Sequence, residues 1–175
     1  MKQALSRKKA VLEVMSKPKI PSEIREQIGL KRSNNINSSL KELIAAKFLY
    51  KLNSANAGQL YGLTNKGKRL RKELLIEKGI PFTYVEPRLN WNLYGWIVCG
   101  RQKRAILKAI KIPMPLKYIK ERAQEHNPRI SRMNCNDILQ LFVKKGIAKK
   151  IIEGNRVVFN LTKTGERIRN QLLEP

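Results

Sequence analysis

Acidic side chains are scarce in this chain: 13 Asp and Glu stand against 37 Lys and Arg, for a formal net charge of +24. With one histidine besides, general acid–base catalysis has few players, and no carboxylate cluster suits a two-metal nuclease. Cysteine is nearly as rare. Cys99 and Cys135 stand in unrelated contexts, which offers no disulfide framework and, with His126 alone, no zinc-ligand set. Each thiol reads as a small buried hydrophobe. No run approaches about 18 uninterrupted apolar residues, so no membrane span is expected. The opening MKQALSRKKAVLEVM lacks the uncharged core and small-residue cleavage site of a secretory signal. Neither a G-x-x-x-x-G-K-[ST] loop nor a G-x-S-x-G elbow is present. The expectation is a soluble, cytoplasmic protein with no cofactor, no metal and no catalytic role.

What is present comes twice. YGLTNKGKRL at 61–70 and VFNLTKTGERI at 158–168 each close an apolar strand in Leu-Thr and open a basic helix through Thr-x-x-Gly, at Thr64/Gly67 and Thr162/Gly165. The charge divides the same way: residues 1–79 hold 18 basic and 6 acidic side chains, and residues 101–175 again hold 18 and 6. Each repeat is therefore +12, and the charge lies in segments with regular apolar periodicity rather than in a tail. A surface chosen for solubility or heat resistance would also be lysine-rich, and the Lys and Ile content suits an archaeal or heat-adapted source. Two basic folded modules point instead to a polyanion, bound with an affinity that falls as salt rises.

Apolar spacing predicts the elements of the first repeat. A helix is expected over 6–16 with Ser6 as N-cap, a second from 20–22 to the stop at Gly29, a turn over 29–32, and a third from 33 or 34 to 47. Strands are expected at 48–52 and 59–63 about a protruding loop at 53–58, then a helix over 66–78 capped by Thr64. The second repeat predicts helices at 102–110, 115–125 and 131–145, strands at 147–152 and 156–161 about a Gly154-Asn155 turn, and a helix over 163–173. From Ser33/Ser131 to Gly67/Gly165 the copies align 98 residues apart without a gap, and three or four extra residues fall near His126-Asn127-Pro128. The fold class is α+β, mostly α, as two tandem modules at 1–79 and 101–175. The linker at 80–100 holds both tryptophans with Phe82, Tyr84 and Tyr94 and almost no charge. Aromatics at that density predict packing, or a homodimer contact, over a stacking platform for single-stranded bases.

PSEIREQIGLKRSNNINSSLKELIAAKFLYKL followed by YGLTNKGKRL, with the matching run ending VFNLTKTGERI, resembles the winged helix-turn-helix family in the style of MarR-like, ArsR-like and PadR-like regulators. The resemblance implies that the third helix of each module enters the major groove and the hairpin loop reaches adjacent backbone or the minor groove. The residues suit this independently. With Ile36, Leu40, Leu43 and Ile44 inward, the third helix offers Asn34, Asn35, Asn37, Ser38 and Lys41, and amides pair bidentately with adenine. Its counterpart offers Arg132, Asn134, Asn136 and Gln140 beside a wider apolar band in which Leu139 stands at the place of Lys41. That band predicts a docking role for the second module through the linker, the other module or a second chain. Backbone-contact candidates are Lys31 and Arg32 at the turn, Lys51 and Asn56 by the first hairpin, Lys66, Lys68 and Arg69 on the fourth helix, and Lys149, Lys150 and Arg156 on the second hairpin. The fourth helix is basic nearly all round, and cations in its first turn oppose the helix dipole, so the density reads as phosphate contact. Two partner classes follow: double-stranded DNA for a transcription regulator, or structured RNA or protein for an assembly subunit.

Overall fold

The computed structural model describes residues 2–30, 36–54, 58–86 and 88–173, with the backbone alone for 2–5. The fold is α+β and mostly helical, with two small antiparallel sheets among the described residues. The chain divides into two compact units, Met1–Trp96 and Ile97–Pro175. No helix among the described residues is long and apolar enough to cross a membrane.

The first unit runs α1 (Lys2–Glu13), α2 (Pro21–Gln27), α3 (Ile36–Ala45), β1 (Leu49–Lys51), β2 (Tyr61–Leu63) and α4 (Asn65–Ile76). α1 begins at Lys2, so Ser6 is inside the helix and not its cap. Pro21 takes the first helical position of α2, where its missing N–H costs nothing, and the Glu23 carboxylate accepts from the Ile20 N–H at 3.1 Å. The apolar stripes of α1, α2, α3 and α4 close on one another through Val11, Met15, Ile24, Ile36, Leu40, Leu43 and Leu74, with Leu49 and Leu63 from the hairpin.

Residues 80–86 strap onto this unit. The Val85 N–H donates to Ser16 O at 2.9 Å, Tyr84 accepts the Leu63 N–H at 3.0 Å, and the Tyr50 hydroxyl donates to Glu86 at 2.5 Å. α5 (Trp91–Val98) was not anticipated as a helix. Asn90 opens it by accepting the Leu93 N–H at 3.1 Å, and the boundary between the units falls within it. Its Gly95 faces the first hairpin loop so closely that a Cβ would overlap Asn53 Nδ2 and the Gly58 carbonyl. Asn53 is buried and braces the loop base, donating to Gly58 O and accepting the Leu60 N–H, both at 2.8 Å. Residues 53, 54 and 58 are therefore held against α5 rather than protruding.

The second unit runs α6 (Arg101–Ala109), β3 (Met114–Pro115), α7 (Leu116–His126), α8 (Arg132–Lys144), β4 (Ala148–Glu153), β5 (Arg156–Leu161) and α9 (Lys163–Leu173). The sheet order is β3-β5-β4, with Met114 opposite Phe159 and Glu153 opposite Arg156 across a two-residue turn. The first unit has the same third-strand contact as a single bridge, Lys19 opposite Tyr61.

Buried positions correct the gapless alignment. Ile24 matches Ile119 and Met15 matches Ile110, 95 residues apart, through the first two helices of each unit. In the third helix Ile36, Leu40 and Leu43 match Cys135, Leu139 and Phe142, 99 apart. From the second strand onward the offset is 98, as in Thr64 and Thr162. The second unit thus carries four extra residues between α7 and α8 and one fewer in its hairpin. Leu139 stands at the place of Leu40, not Lys41, so its burial is the ordinary core contact of that helix. Ser33 lies outside the described residues.

Candidate nucleic-acid interface

The Leu-Thr-x-x-Gly motif is a structural corner. Thr64 Oγ1 accepts the Gly67 N–H at 3.1 Å as the N-cap of α4, and donates to Lys47 O at 2.6 Å. Thr162 repeats this, accepting from Gly165 at 3.2 Å and donating to Gly146 O at 2.6 Å. A hydroxyl is needed because one group must both cap the helix and bind the turn that precedes the hairpin. Glycine is needed because a Cβ at Gly67 or Gly165 would overlap the carbonyl oxygen of Phe48 or Ile147. The corner fixes α4 and α9 against the hairpins and against the turn that closes each third helix.

On α3, Asn37, Ser38 and Lys41 are exposed while Ile36, Ser39, Leu40 and Leu43 are buried, as the periodicity requires. Ser38 donates to Glu42 at 3.1 Å, and Glu42 also pairs with Lys8. The Lys8 ammonium, and then the Ser38 hydroxyl, hold the Glu42 carboxyl below its usual range. Asn34, Asn35, Lys31, Arg32 and Asn56 lie outside the described residues. On α8, Arg132 and Gln140 are exposed and Asn134 and Asn136 half-buried, with Ser131 capping by accepting the Asn134 N–H at 3.1 Å. In the corrected register Asn37 coincides with Asn136 and Lys41 with Gln140. The sequence alignment had hidden this because it was one residue out along the helix.

The backbone-contact candidates separate into engaged and open groups. Lys66 donates to Ala46 O at 3.2 Å and lies 4.5 Å from the Phe48 ring centroid, covering the end of α3. Lys68 sits 4.7 Å from the Tyr84 ring and 3.8 Å from Glu86. Arg69 is exposed with no described partner, as are Lys51, Lys149, Lys150 and Arg156. Lys149 and Lys150 are consecutive on β4 and point to opposite faces, so one phosphate cannot draw on both from one side.

Arg71 corrects the reading of α4 as uniformly phosphate-facing. It is 4% exposed, its Nε donates to Glu13 O at 3.1 Å, an Nη donates to Thr83 O, and Phe82 lies 5.2 Å beneath it. Burial pulls its guanidinium below the usual arginine range. Arg169, 98 residues on, likewise donates to Ile110 O at 2.6 Å. Both arginines satisfy carbonyls near the end of their unit's first helix, groups that no intrahelical donor reaches.

Lys19 is a second buried cation that spacing did not reveal. It is 3% exposed, donates to Gln27, and is lowered to about 8 chiefly by burial, with Glu23 working against the shift. Cys135 is fully buried and burial pushes its thiol up to about 11, which fits a small core residue, whereas Cys99 is exposed, against expectation. No group of three or more His, Cys, Asp or Glu among the described residues is placed to hold a metal ion. No family model matches this chain, and neither the curated proteins nor the solved structures contain one significantly similar to it.

Proposed function

We propose that each unit is a winged helix-turn-helix module and that the chain is a sequence-reading, double-stranded DNA-binding regulator, with α3 and α8 as the reading helices. The observation that carries this is the coincidence of polar positions on two helices of different sequence. Asn37 with Asn136, and Lys41 with Gln140, occupy the same places on the outward faces of their units, in a chain of net charge +24. Amides at such positions pair with adenine edges, while Lys and Arg elsewhere neutralise phosphate. The two helices are not identical readers. Asp137 stands where Ser38 does, and a carboxylate accepts from cytosine N4 but repels phosphate, so the two half-sites differ.

A second reading, an assembly subunit binding protein or structured RNA, is favoured by the outward face of α8, where Met133 is 72% and Leu141 is 41% exposed. In that case α8 is a protein-docking face and homodimerisation is one form it takes.

Anisotropy titrations with duplex DNA pools, single-stranded DNA and structured RNA at rising salt separate the two. After selection, one duplex sequence is preferred over competitor, and Asn37→Ala and Asn136→Ala each reduce that preference by about 1–3 kcal/mol with non-specific binding retained. Arg69→Ala weakens all duplexes alike. Equal binding of all three nucleic acids, or a preference untouched by both Asn changes, rejects the regulator reading.

A further inference from the structure

A cleft of about 360 Å³ in the second unit is walled by Arg101, Arg104 and Lys108 of α6 on one side and by His126, Asn127 and Pro128 on the other. The three cations fall at i, i+3 and i+7, on one face of a nine-residue helix whose first turn holds no acid. Like charges at that spacing weaken a helix, and Arg101 and Arg104 also oppose its dipole. Among the described residues no carboxylate pairs with any of the three. The acids of α7 are turned elsewhere: Glu121 and Glu125 line a separate groove with Ile112 and Tyr118.

Comparison with the first unit shows that this arrangement is not a consequence of the shared fold. At the offset of 95, Arg101, Arg104 and Lys108 correspond to Ser6, Lys9 and Glu13, and Glu13 is paired with Lys78 at 2.7 Å. The opposite wall, 126–128, belongs to the segment where the second unit carries its four extra residues. The second unit alone thus carries all three cations and the loop that faces them. A concave, cationic lining without an acid selects an oxyanion, for which two guanidinium forks and an ammonium supply charge-assisted hydrogen bonds.

We infer that this cleft is a phosphoryl-anion site, taking either a backbone phosphate of bound nucleic acid or the phosphate of a free phosphorylated ligand. His126 is the only histidine, so its ring carbons give a single-residue NMR reporter in the full chain. Inorganic phosphate, pyrophosphate and a short duplex are titrated at constant ionic strength, with chloride as control. The expected result is a saturable His126 shift with phosphate or pyrophosphate that chloride does not give. Arg104→Gln and Lys108→Gln each weaken it about tenfold. Arg101→Gln, at an exposed position, gives the same direction if a more buried change harms folding, and Lys163→Gln on α9 controls for net charge alone. A shift with the duplex and none with the small anions assigns the site to backbone phosphate; the reverse assigns it to a free ligand. No saturable shift with any phosphoryl probe, or shifts that persist unchanged in all three cleft variants, overturns the inference. Because the readout is local to His126, a failure of DNA recognition with phosphate binding intact would count against the proposed regulator and not against this site.

Discussion

Gly67→Ala is expected to destabilise the first unit, although the same change in an open helix would stabilise it. Removing glycine from a helix interior gains about 1 kcal/mol from backbone entropy, less in the first turn, where Gly67 lies. Against this, the added methyl overlaps the Phe48 carbonyl oxygen, which is backbone and cannot rotate away. That carbonyl accepts the Thr64 N–H at 3.0 Å, so moving it disturbs the cap of α4 as well. Overpacking of this kind costs about 1–3 kcal/mol, and a weakened hydrogen bond costs about 1 kcal/mol more. The net loss is about 1–3 kcal/mol. Both tryptophans, Trp91 and Trp96, fall in the first unit, so urea unfolding followed by tryptophan fluorescence reports that unit selectively. With a slope of about 2 kcal/mol per molar, the midpoint falls by about 0.5–1.5 M. An unchanged or higher midpoint would refute the claim that Leu-Thr-x-x-Gly exists for close packing of helix on strand.

Lys19→Met inserts the residue found at the matching position, Met114, and is expected to raise stability at pH 7. The unmodified protein should gain stability between about pH 8 and 9.5, because the unfolded chain still holds the Lys19 proton there while the folded one has released it. That rise, read from urea midpoints at stepped pH, should be absent in the variant; the window closes near pH 10, where the raised Tyr84, at about 12, reverses the slope. Lys47 holds φ 61° where the second unit has Gly146 at 68°, so Lys47→Gly should stabilise by about 1 kcal/mol in thermal melts, with a drop in midpoint as the contrary result. Thr162→Val removes the α9 cap and the bond to Gly146 and should cost about 1–2 kcal/mol by circular dichroism melts. Arg71→Gln should lower stability while leaving the salt dependence of duplex binding unchanged; a shallower salt slope would mean that Arg71 contacts phosphate after all.

Much of the architecture was legible in order and spacing. α7, α8 and α9 fall within two residues of the ranges that apolar periodicity predicts, and Thr64 and Thr162 cap as their motif suggests. α5 was missed because two prolines precede it and its eight residues show no polar face, while its start depends on the Asn90 side chain. Register within the third helix was also missed. The repeated motif lies beyond the hairpin, and a one-residue difference in hairpin length cannot be seen until the buried set of each helix is known.

Sequence by itself determined the duplication, the even division of charge and the outward placement of Asn37, Lys41 and Gln140, because periodicity is a property of neighbouring residues. Only tertiary structure decided which cations remain open. Lys19, Lys66, Lys68 and Arg71 look alike with Arg69 and Lys72 in a list of basic residues, yet the first four are tied to carbonyls, rings or carboxyl and amide groups from distant segments. A cation's role follows from what the fold brings within a few ångströms of it, and that depends on chain closure rather than on local spacing.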